Sequence, residues 1–461
     1  MNNALAVVRP SLSAARRPRV TSVGAEVNEA AAEARRRWRR ATWFATATYL
    51  AWSPVTTVNR FLSAGTTTRG VVLTLIPLIG VLAVLRLPSA GQRNRIDALI
   101  GVLALLVVWE AISVERNAGS STLLHVIPSV ALLVLAGAAR GQVTGMSAKD
   151  IRYAVAGVLP GLCSLLILGW IVQYANLVPV QSTTASSLHL IFSVHGYRLQ
   201  GLASGSDPLG FLAALATFIA FVTQPGKFSW FTRVVGLLTV LASDSRTSII
   251  VLAVGLFMLW VFGPGLSMSN RIKALLLFAI AAIGGWRIID FQRQVNTGVL
   301  SGRDLIWRDL IPYLHHLPIF GYGPNFFPRL VPLVFGPFAL SSQFLDPQNQ
   351  WLNDSLEFGY AAAVLLTVLL LLIPRHGSKT YRRMHLLPLL AMVIVECFSE
   401  VPLAVFSSIS GAFPLFLLLM LAPLRDRRNI VEKMEPARSE SLAHRSLLSA
   451  FPRQSDRVHL G

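Results

Sequence analysis

The sequence predicts an all-α protein, a polytopic transmembrane bundle of about twelve helices (ten to twelve) with a large extracytoplasmic loop after the ninth. Three observations predict this fold. The 461 residues are 53% hydrophobic and only 14% charged, whereas soluble domains are about 25% charged. Apolar runs of roughly 18 to 22 residues, long enough to cross a bilayer, recur along the chain. Lysine and arginine concentrate in alternate connections between these runs, as in cytoplasmic loops.

The predicted membrane domain covers residues 41–423 and lies between two polar tails. Residues 1–40 end in "RRRWRR", and residues 424–461 are also basic, so both are predicted to be disordered and cytosolic. The apolar runs between them centre on 43–58, 69–87, 96–113, 122–139, 153–175, 207–223, 232–243, 247–262, 272–289, 355–373, 385–397 and 402–422. Two pairs of these runs are separated only by "ASDSR" and "SEVP", which leaves a count of about ten or eleven spans open.

The basic residues orient the predicted spans in the membrane. Every loop predicted to be inside carries lysine or arginine, for example Arg382 and Arg383, so both termini are predicted to be cytosolic and the loop 290–354 to face outward. The formal net charge of +19 is interpreted as basic loops beside anionic membrane lipids. Nucleic acid is not an expected partner, since the chain has no helix-turn-helix pattern and no zinc-ligand spacing.

Seven arginines oppose this orientation, because they fall in connections predicted to face outward: Arg198, Arg246, Arg287, Arg293, Arg303, Arg308 and Arg329. Arg198 lies in "YRLQG", Arg246 opens an apolar run in "SDSRTS", and Arg303 belongs to "SGRDLIW". The planar arginine fork binds carboxylate or phosphate through two hydrogen bonds. Together with exposed amides at helix N-termini, Arg198, Arg246 and Arg303 are candidates to surround a diphosphate at the outer leaflet. Snorkelling to the interface is the alternative for Arg246, and a helix-surface pair with Asp304 is the interpretation preferred for Arg308.

These segments and two more resemble, in their order, the O-antigen ligase and polymerase superfamily. The further segments are "PIFGYGPNFF" and "DPQNQWLNDSLEFG", and the resemblance covers about residues 60 to 422. It implies a membrane glycosyltransferase that moves a glycan from an undecaprenyl-diphosphate carrier to a lipid, glycan or protein acceptor. The reaction is implied to take place at the outer face of the bacterial cytoplasmic membrane, without metal or cofactor. Carried over by position, Arg198, Arg246 and Arg303 are implied to bind the lipid diphosphate.

The chain departs from the superfamily at Gln348. Family ligases commonly have Pro-His-Asn where this chain has Pro347-Gln348-Asn349, and that histidine is the family's proposed general base. Arg303, Gln348 and Asn349 are the catalytic candidates. Because the Gln348 amide cannot accept the proton, the base is sought elsewhere. Five residues at or near the outer boundary are possible bases: His195, His315, His316, Asp346 and Glu357.

A secondary transporter, or a flippase for a lipid-linked glycan or another anionic substrate, is the competing interpretation of so many spans. Charges at mid-membrane, which a transport path requires, are sparse. The polar residues gather instead in the outward connections, which favours chemistry at the membrane surface. The pattern leaves open which glycan and acceptor are used, and whether the product is a ligated chain or a polymer.

Overall fold

The computed structural model describes residues 32, 98–118, 129–130, 132–134, 136–137, 156, 158–177, 197–203, 205–223, 227–262, 267–276, 303–324, 326–327, 349–375, 385–399, 414–415 and 417–419. Nine of its helices are α1 (Ala98–Ala118), α2 (Leu159–Tyr174), α3 (Ser206–Val222), α4 (Lys227–Ser243), α5 (Arg246–Phe262), α6 (Arg303–His315), α7 (Gln350–Phe358), α8 (Tyr360–Leu372) and α9 (Leu387–Ser399). No β-strand occurs in the described ranges, which agrees with the predicted all-α class. The predicted tails, 1–40 and 424–461, lie outside these ranges except for residue 32.

By length and hydropathy, one helix among the described residues can cross a membrane, Ala98–Asn117, with a mean hydropathy of 2.1. The other apolar helices found in those residues are shorter. The count of about twelve spans therefore stays a prediction. Many large apolar side chains are exposed on the outer faces of the helices, among them Leu105, Trp260, Val364 and Leu371. A surface of this kind is typical of contact with lipid or with another protein.

Helix α3 lies at the centre of the main hydrophobic core. Every residue from Leu209 to Ala220 is buried, and the helix packs against α2, α4, α5 and α9. Asp207 and Pro208 occupy its first turn, where a carboxylate favours the helix dipole and proline removes no intrahelical bond. Alanines alternate with larger apolar residues along it, so neighbouring helices approach closely on all sides.

Small residues also set the contacts of the helices around α3. A Cβ atom added at Gly236 of α4 would collide with Thr217 of α3, and one added at Gly255 of α5 would collide with Met392 of α9. Backbones that approach this closely gain dispersion contacts along their length, as is common between helices in membranes. Helices α3, α4, α5 and α9 thus form one four-helix unit. The candidate residue Arg246 is the first residue of α5 in this unit.

The tenth predicted span, 355–373, is wrong in its first residues. Residues 350–358 form the separate helix α7, and the apolar helix α8 starts at Tyr360. Gly359, with φ of 86°, interrupts the helical backbone between them. The apolar count alone could not find this break, because Leu356 and Phe358 are apolar residues of α7. Helix α7 contacts α1, α8, α9 and α6, so it joins the main bundle to the segment that carries α6.

Candidate functional site

Arg198 reaches across the ends of two helices. Its Nε donates to the Ser243 carbonyl at 3.0 Å, and its Nη2 donates to the Asp244 carbonyl at 2.9 Å and to Asp207 Oδ1 at 2.9 Å. The first two acceptors close the C-terminal end of α4, where a cation is favoured, and Asp207 lies in the first turn of α3, where an anion is favoured. We call this arrangement, Arg198 with Asp207 and the carbonyls of Ser243 and Asp244, the arginine brace.

The backbone around Arg198 is held by Gln173 at the end of α2. The Gln173 side-chain amide donates to the Arg198 carbonyl at 3.0 Å and accepts from the N–H groups of Gln200 at 2.7 Å and Gly201 at 3.0 Å. Gln173 is only 2% exposed. Gly201, with φ of 55°, lies against Gly169 of α2, where a Cβ atom would come within 2.9 Å of the Gly169 Cα. The segment 197–203 is therefore fixed before any substrate binds.

The brace positions the turn that leads to Arg246. Asp244 adopts φ of 50°, and the Ser245 hydroxyl then accepts from the Ser248 N–H at 3.3 Å and from the Ser248 hydroxyl at 2.8 Å. Ser245 thus caps α5, and Arg246, the first residue of α5, is exposed at its N-terminus. Two of the predicted diphosphate ligands, Arg198 and Arg246, are brought to the same end of the bundle.

A second, smaller hydrophobic core joins α6 to α7. Its buried members are Leu310, Phe327 and Leu356, with Trp307, Leu314 and other residues packed against it. Tyr322 stacks on Phe326 with ring centroids 4.4 Å apart, and its hydroxyl lies 3.1 Å from the Tyr313 carbonyl. The aromatic residues of "GYGPNFF" thus serve packing inside this segment.

Two backbone stretches cross at the junction of this segment with the main bundle. The N–H groups of Tyr322 and Gly323 donate to the carbonyls of Leu356 at 2.8 Å and Glu357 at 2.9 Å. A Cβ atom at Gly321, which has φ of 68°, would lie 2.5 Å from the Glu357 carbonyl carbon, and one at Gly359 would collide with the Ile319 carbonyl oxygen. We call the apposed stretches, 319–323 and 356–359, the glycine crossing. Gly321 and Gly323 both have positive φ, of 68° and 87°, a conformation that glycine adopts without strain.

Helix α1 secures the glycine crossing from the other side. The Ser113 hydroxyl donates to the Phe320 carbonyl at 2.5 Å and lies 3.2 Å from the Glu357 carbonyl. The Trp109 indole N–H donates to the Phe358 carbonyl at 2.8 Å. Both side chains bond backbone atoms that the sharp bend at Gly359 leaves outside the helices. These bonds fix α7 relative to α1.

Asn349 caps the helix that follows the Pro-Gln-Asn segment. Its side-chain oxygen accepts from the Leu352 N–H at 3.0 Å, and its amide nitrogen donates to the Phe398 carbonyl of α9 at 3.3 Å. Asn349 therefore fixes both the start of α7 and its distance from α9. Gln348, which immediately precedes it, lies outside the described residues.

Asp354 is a buried acid that the sequence did not single out. It is 6% exposed, accepts from the Gln350 side chain at 2.8 Å, and interacts electrostatically with Glu110 of α1 and Cys397 of α9. Burial raises the pKa of the Asp354 carboxyl from 3.8 to about 7, and the hydrogen bond from Gln350 opposes this shift. The spacing of Gln350 and Asp354, one helical turn apart, was the available signal.

The other predicted site residues fall into three groups. Arg303 is the first residue of α6, which contacts α7. His315 and His316 are exposed at the end of α6, whereas Glu357 is buried beside the glycine crossing. His195 and Asp346, like Gln348, lie outside the described residues. Among the described residues, no group of three or more His, Cys, Asp or Glu is placed to hold a metal ion.

Residues 231–367 match the family model described as O-Antigen ligase. This range contains Arg246, Arg303, Gln348 and Asn349, and it excludes Arg198 and Asp207. No curated protein matches the chain. The resemblance predicted from the ordered motifs is confirmed over the matched residues.

Proposed function

Because residues 231–367 match the O-antigen ligase family model, we propose that this protein is a membrane glycosyltransferase acting on a lipid-linked glycan. It takes the glycan from an undecaprenyl-diphosphate carrier and transfers it to a lipid, glycan or protein acceptor at the outer face of the cytoplasmic membrane. The family match is the observation that carries this proposal, and it favours glycan transfer over the transporter and flippase alternatives.

The reaction exchanges one bond to the donor sugar for another. An acceptor hydroxyl oxygen attacks C1, the bond from C1 to the diphosphate oxygen breaks, and its electron pair leaves with the diphosphate. The hydroxyl proton passes to a base. Negative charge develops on the departing diphosphate, so cations placed there lower the barrier. Arg246 and Arg303 take this role in the proposal, and both stand at the N-terminal residue of a helix, where backbone N–H groups also favour an anion.

Gln348 and Asn349 have separate roles in the proposal. Asn349 uses its side chain to cap α7 and to bond Phe398, so it acts by holding the segment that precedes it. Gln348 stands one residue earlier and orients the acceptor hydroxyl through its amide. Hydrogen bonds of this kind contribute about 0.5 to 1.5 kcal/mol each, which suits orientation and leaves proton removal to another group.

Exposure separates the candidate bases. A base must reach both the acceptor hydroxyl and, afterwards, solvent. His315 and His316 are exposed at the end of α6, whereas Glu357 is enclosed at the glycine crossing with its carbonyl bonded to Gly323. We therefore favour the histidine pair over Glu357. His195 and Asp346 stay candidates on sequence grounds.

The decisive experiment compares two arginines of α6. Arg303→Lys keeps the charge but loses the bidentate fork, so glycan transfer should fall by about 100-fold or more, the loss typical of removing a transition-state donor. Arg308→Ala should cost less than about 3-fold, because a helix-surface pair with Asp304 is worth only about 0.3 to 0.5 kcal/mol. Transfer is measured by complementation of a deletion strain, with the undecaprenyl-diphosphate-linked glycan quantified.

Two outcomes would count against the proposal. A deletion strain that accumulates no lipid-linked glycan contradicts the transfer reaction itself. Equal losses for Arg303→Ala and Arg308→Ala, at matched protein levels in the membrane, contradict the division of roles between the two arginines.

A further inference from the structure

We infer that Asp207 and Arg198 are a positioning pair for Arg246, and that Arg198 does not itself contact the donor diphosphate. This inference rests on the proposed function, because it assumes that Arg246 binds the donor. It differs from the assignment that sequence position implies for Arg198, and it gives a function to Asp207, which no motif includes. Its basis is the geometry of the arginine brace.

The hydrogen bonds of Arg198 are directed into the protein. A guanidinium has five N–H groups, and three of them, the one on Nε and both on Nη2, bond Ser243, Asp244 and Asp207. The Arg198 and Asp207 side chains are only 22% and 25% exposed. A diphosphate that contacted this guanidinium would stand beside the Asp207 carboxylate, and like charges repel. The pair as a whole is neutral, so it offers an anion little net attraction.

The acceptors of Arg198 lie in the turn that precedes Arg246. Ser243 ends α4, Asp244 has the left-handed conformation, and Arg246 follows two residues later as the start of α5. The same turn is tied to Asp207 from its other side, since the Ser248 hydroxyl lies 3.4 Å from the Asp207 carbonyl. The ion pair therefore holds the turn between α3 and the segment 197–203, and the direction of Arg246 follows from it.

The brace is itself rigid. Gln173 bonds the Arg198 carbonyl, and the Leu199 N–H donates to the Ala242 carbonyl at 2.8 Å. Asp207 stands on α3, where every residue from Leu209 to Ala220 is buried. A rigid support of this kind lowers the entropy lost when Arg246 engages an anion, because the turn is already ordered. A positioning pair thus acts on donor affinity through Arg246 alone.

The test is a double-mutant cycle on binding of undecaprenyl diphosphate to the full-length protein in nanodiscs. Arg246→Ala should weaken binding by about 10- to 100-fold, the loss of a charge-assisted bond. Asp207→Asn, which keeps the side-chain volume, should weaken it by about 3- to 10-fold. The Asp207→Asn/Arg246→Ala double variant should bind within about twofold of Arg246→Ala alone, because the pair then has nothing left to position.

If Arg198 itself bound the diphosphate, Asp207→Asn would change donor affinity in the opposite direction. Removing the carboxylate that neutralises Arg198 would then tighten donor binding, and the effects of Asp207→Asn and Arg246→Ala would be independent. Tighter or unchanged binding by Asp207→Asn, or additive losses in the double variant, overturns the inference while Arg246→Ala still supports the proposed function. Unchanged binding by Arg246→Ala overturns both.

A matched control separates positioning from stability. Arg233 caps the opposite end of the α3–α4 hairpin, where its Nε and Nη2 donate to the Ala220 carbonyl at 3.0 and 2.8 Å. Arg233→Ala should lower the thermal stability of the same hairpin but leave undecaprenyl diphosphate binding within twofold. A loss of binding in Arg233→Ala as large as that in Asp207→Asn shows a general stability effect and overturns the inference. If Asp207→Asn does not fold, Arg198→Lys replaces it in the cycle, since one ammonium cannot span all three acceptors. The criterion is then additivity alone: a double variant within about twofold of Arg246→Ala supports the inference, and additive losses overturn it.

Discussion

At the arginine brace, one charged side chain joins two helix ends and a turn, whereas at the glycine crossing two stretches of backbone touch with no side chain between them. The brace is built from a guanidinium, a carboxylate and two carbonyls. The crossing is built from Gly321 and Gly359, with Ser113 and Trp109 bonding its carbonyls from α1. Each holds one portion of the candidate site: the arginine brace positions Arg246, and the glycine crossing positions α7.

The two devices differ in how they can relax. A side chain has rotamers, so a disturbed brace can lose one bond and keep the others. Two backbones in contact have no such freedom, because moving either one displaces the helices on both sides. Changes at the crossing are therefore expected to act on folding, and changes at the brace on the direction of Arg246.

The largest expected effect is at Gly359. Gly359→Ala places a methyl group against the Ile319 carbonyl at a residue with φ of 86°. Left-handed strain and overpacking together should cost roughly 2 to 5 kcal/mol. Thermal unfolding in detergent measures the loss. The control is Gly101→Ala in α1, where a Cβ atom meets nothing within 4 Å and a gain of about 0.5 to 1 kcal/mol is expected. Similar melting temperatures for the two variants would contradict the claim that the backbone contact at Gly359 cannot relax.

The next effect concerns Asp354, which lies on the helix that the crossing holds. Its pKa is 3.8 in the unfolded chain and about 7 in the fold, so the folded protein binds more protons between these values. The contribution of this group to stability should therefore be greatest below about pH 4. It should fall by a few kcal/mol as pH rises from about 4 through about 7, and level off above that. Asp354→Asn should flatten this slope, as followed by melting temperatures at pH 5 and pH 8.

A matched carboxyl-to-amide change tests the assignment to Asp354. Glu115 is exposed on α1, so Glu115→Gln should leave the pH slope as it is. Glu110 of α1 and Cys397 of α9 interact electrostatically with Asp354, Glu357 also acts on Glu110, and Glu396 also acts on Cys397. If the slope survives in Asp354→Asn, one of these groups rather than Asp354 is responsible for it.

The smallest effect is expected at Gly210, the glycine beside the brace. A Cβ atom there would lie 2.6 Å from the Ser243 hydroxyl and 2.7 Å from the Ser248 hydroxyl. Both hydroxyls can rotate away, so Gly210→Ala should cost only about 1 to 2 kcal/mol in stability. Undecaprenyl diphosphate binding should weaken several-fold, because the turn leading to Arg246 shifts. A variant as unstable as Gly359→Ala, measured under identical conditions, would show that the brace is as rigid as the crossing.

The class of the fold and the family followed from local pattern. Apolar runs predicted helices near their observed positions, as for 207–223 against Ser206–Val222 and 247–262 against Arg246–Phe262. Such runs are readable because burial or lipid contact requires apolar residues along the whole helix. The ordered motifs pointed to the O-antigen ligase superfamily, and residues 231–367 match that family's model.

The partners of the functional residues were decided by tertiary structure. Arg198 meets Asp207 and the end of α4 because three helix ends come together there, and its motif contains no sign of them. Glu357 and Asp354 stand in the same short segment as Gln348, yet burial against α1 and α9 determines their accessibility and, for Asp354, the pKa. The type of a residue determines which bonds it can make, but packing determines which groups are near enough to make them. Hydropathy along one helix contains no information about the neighbour that will face it.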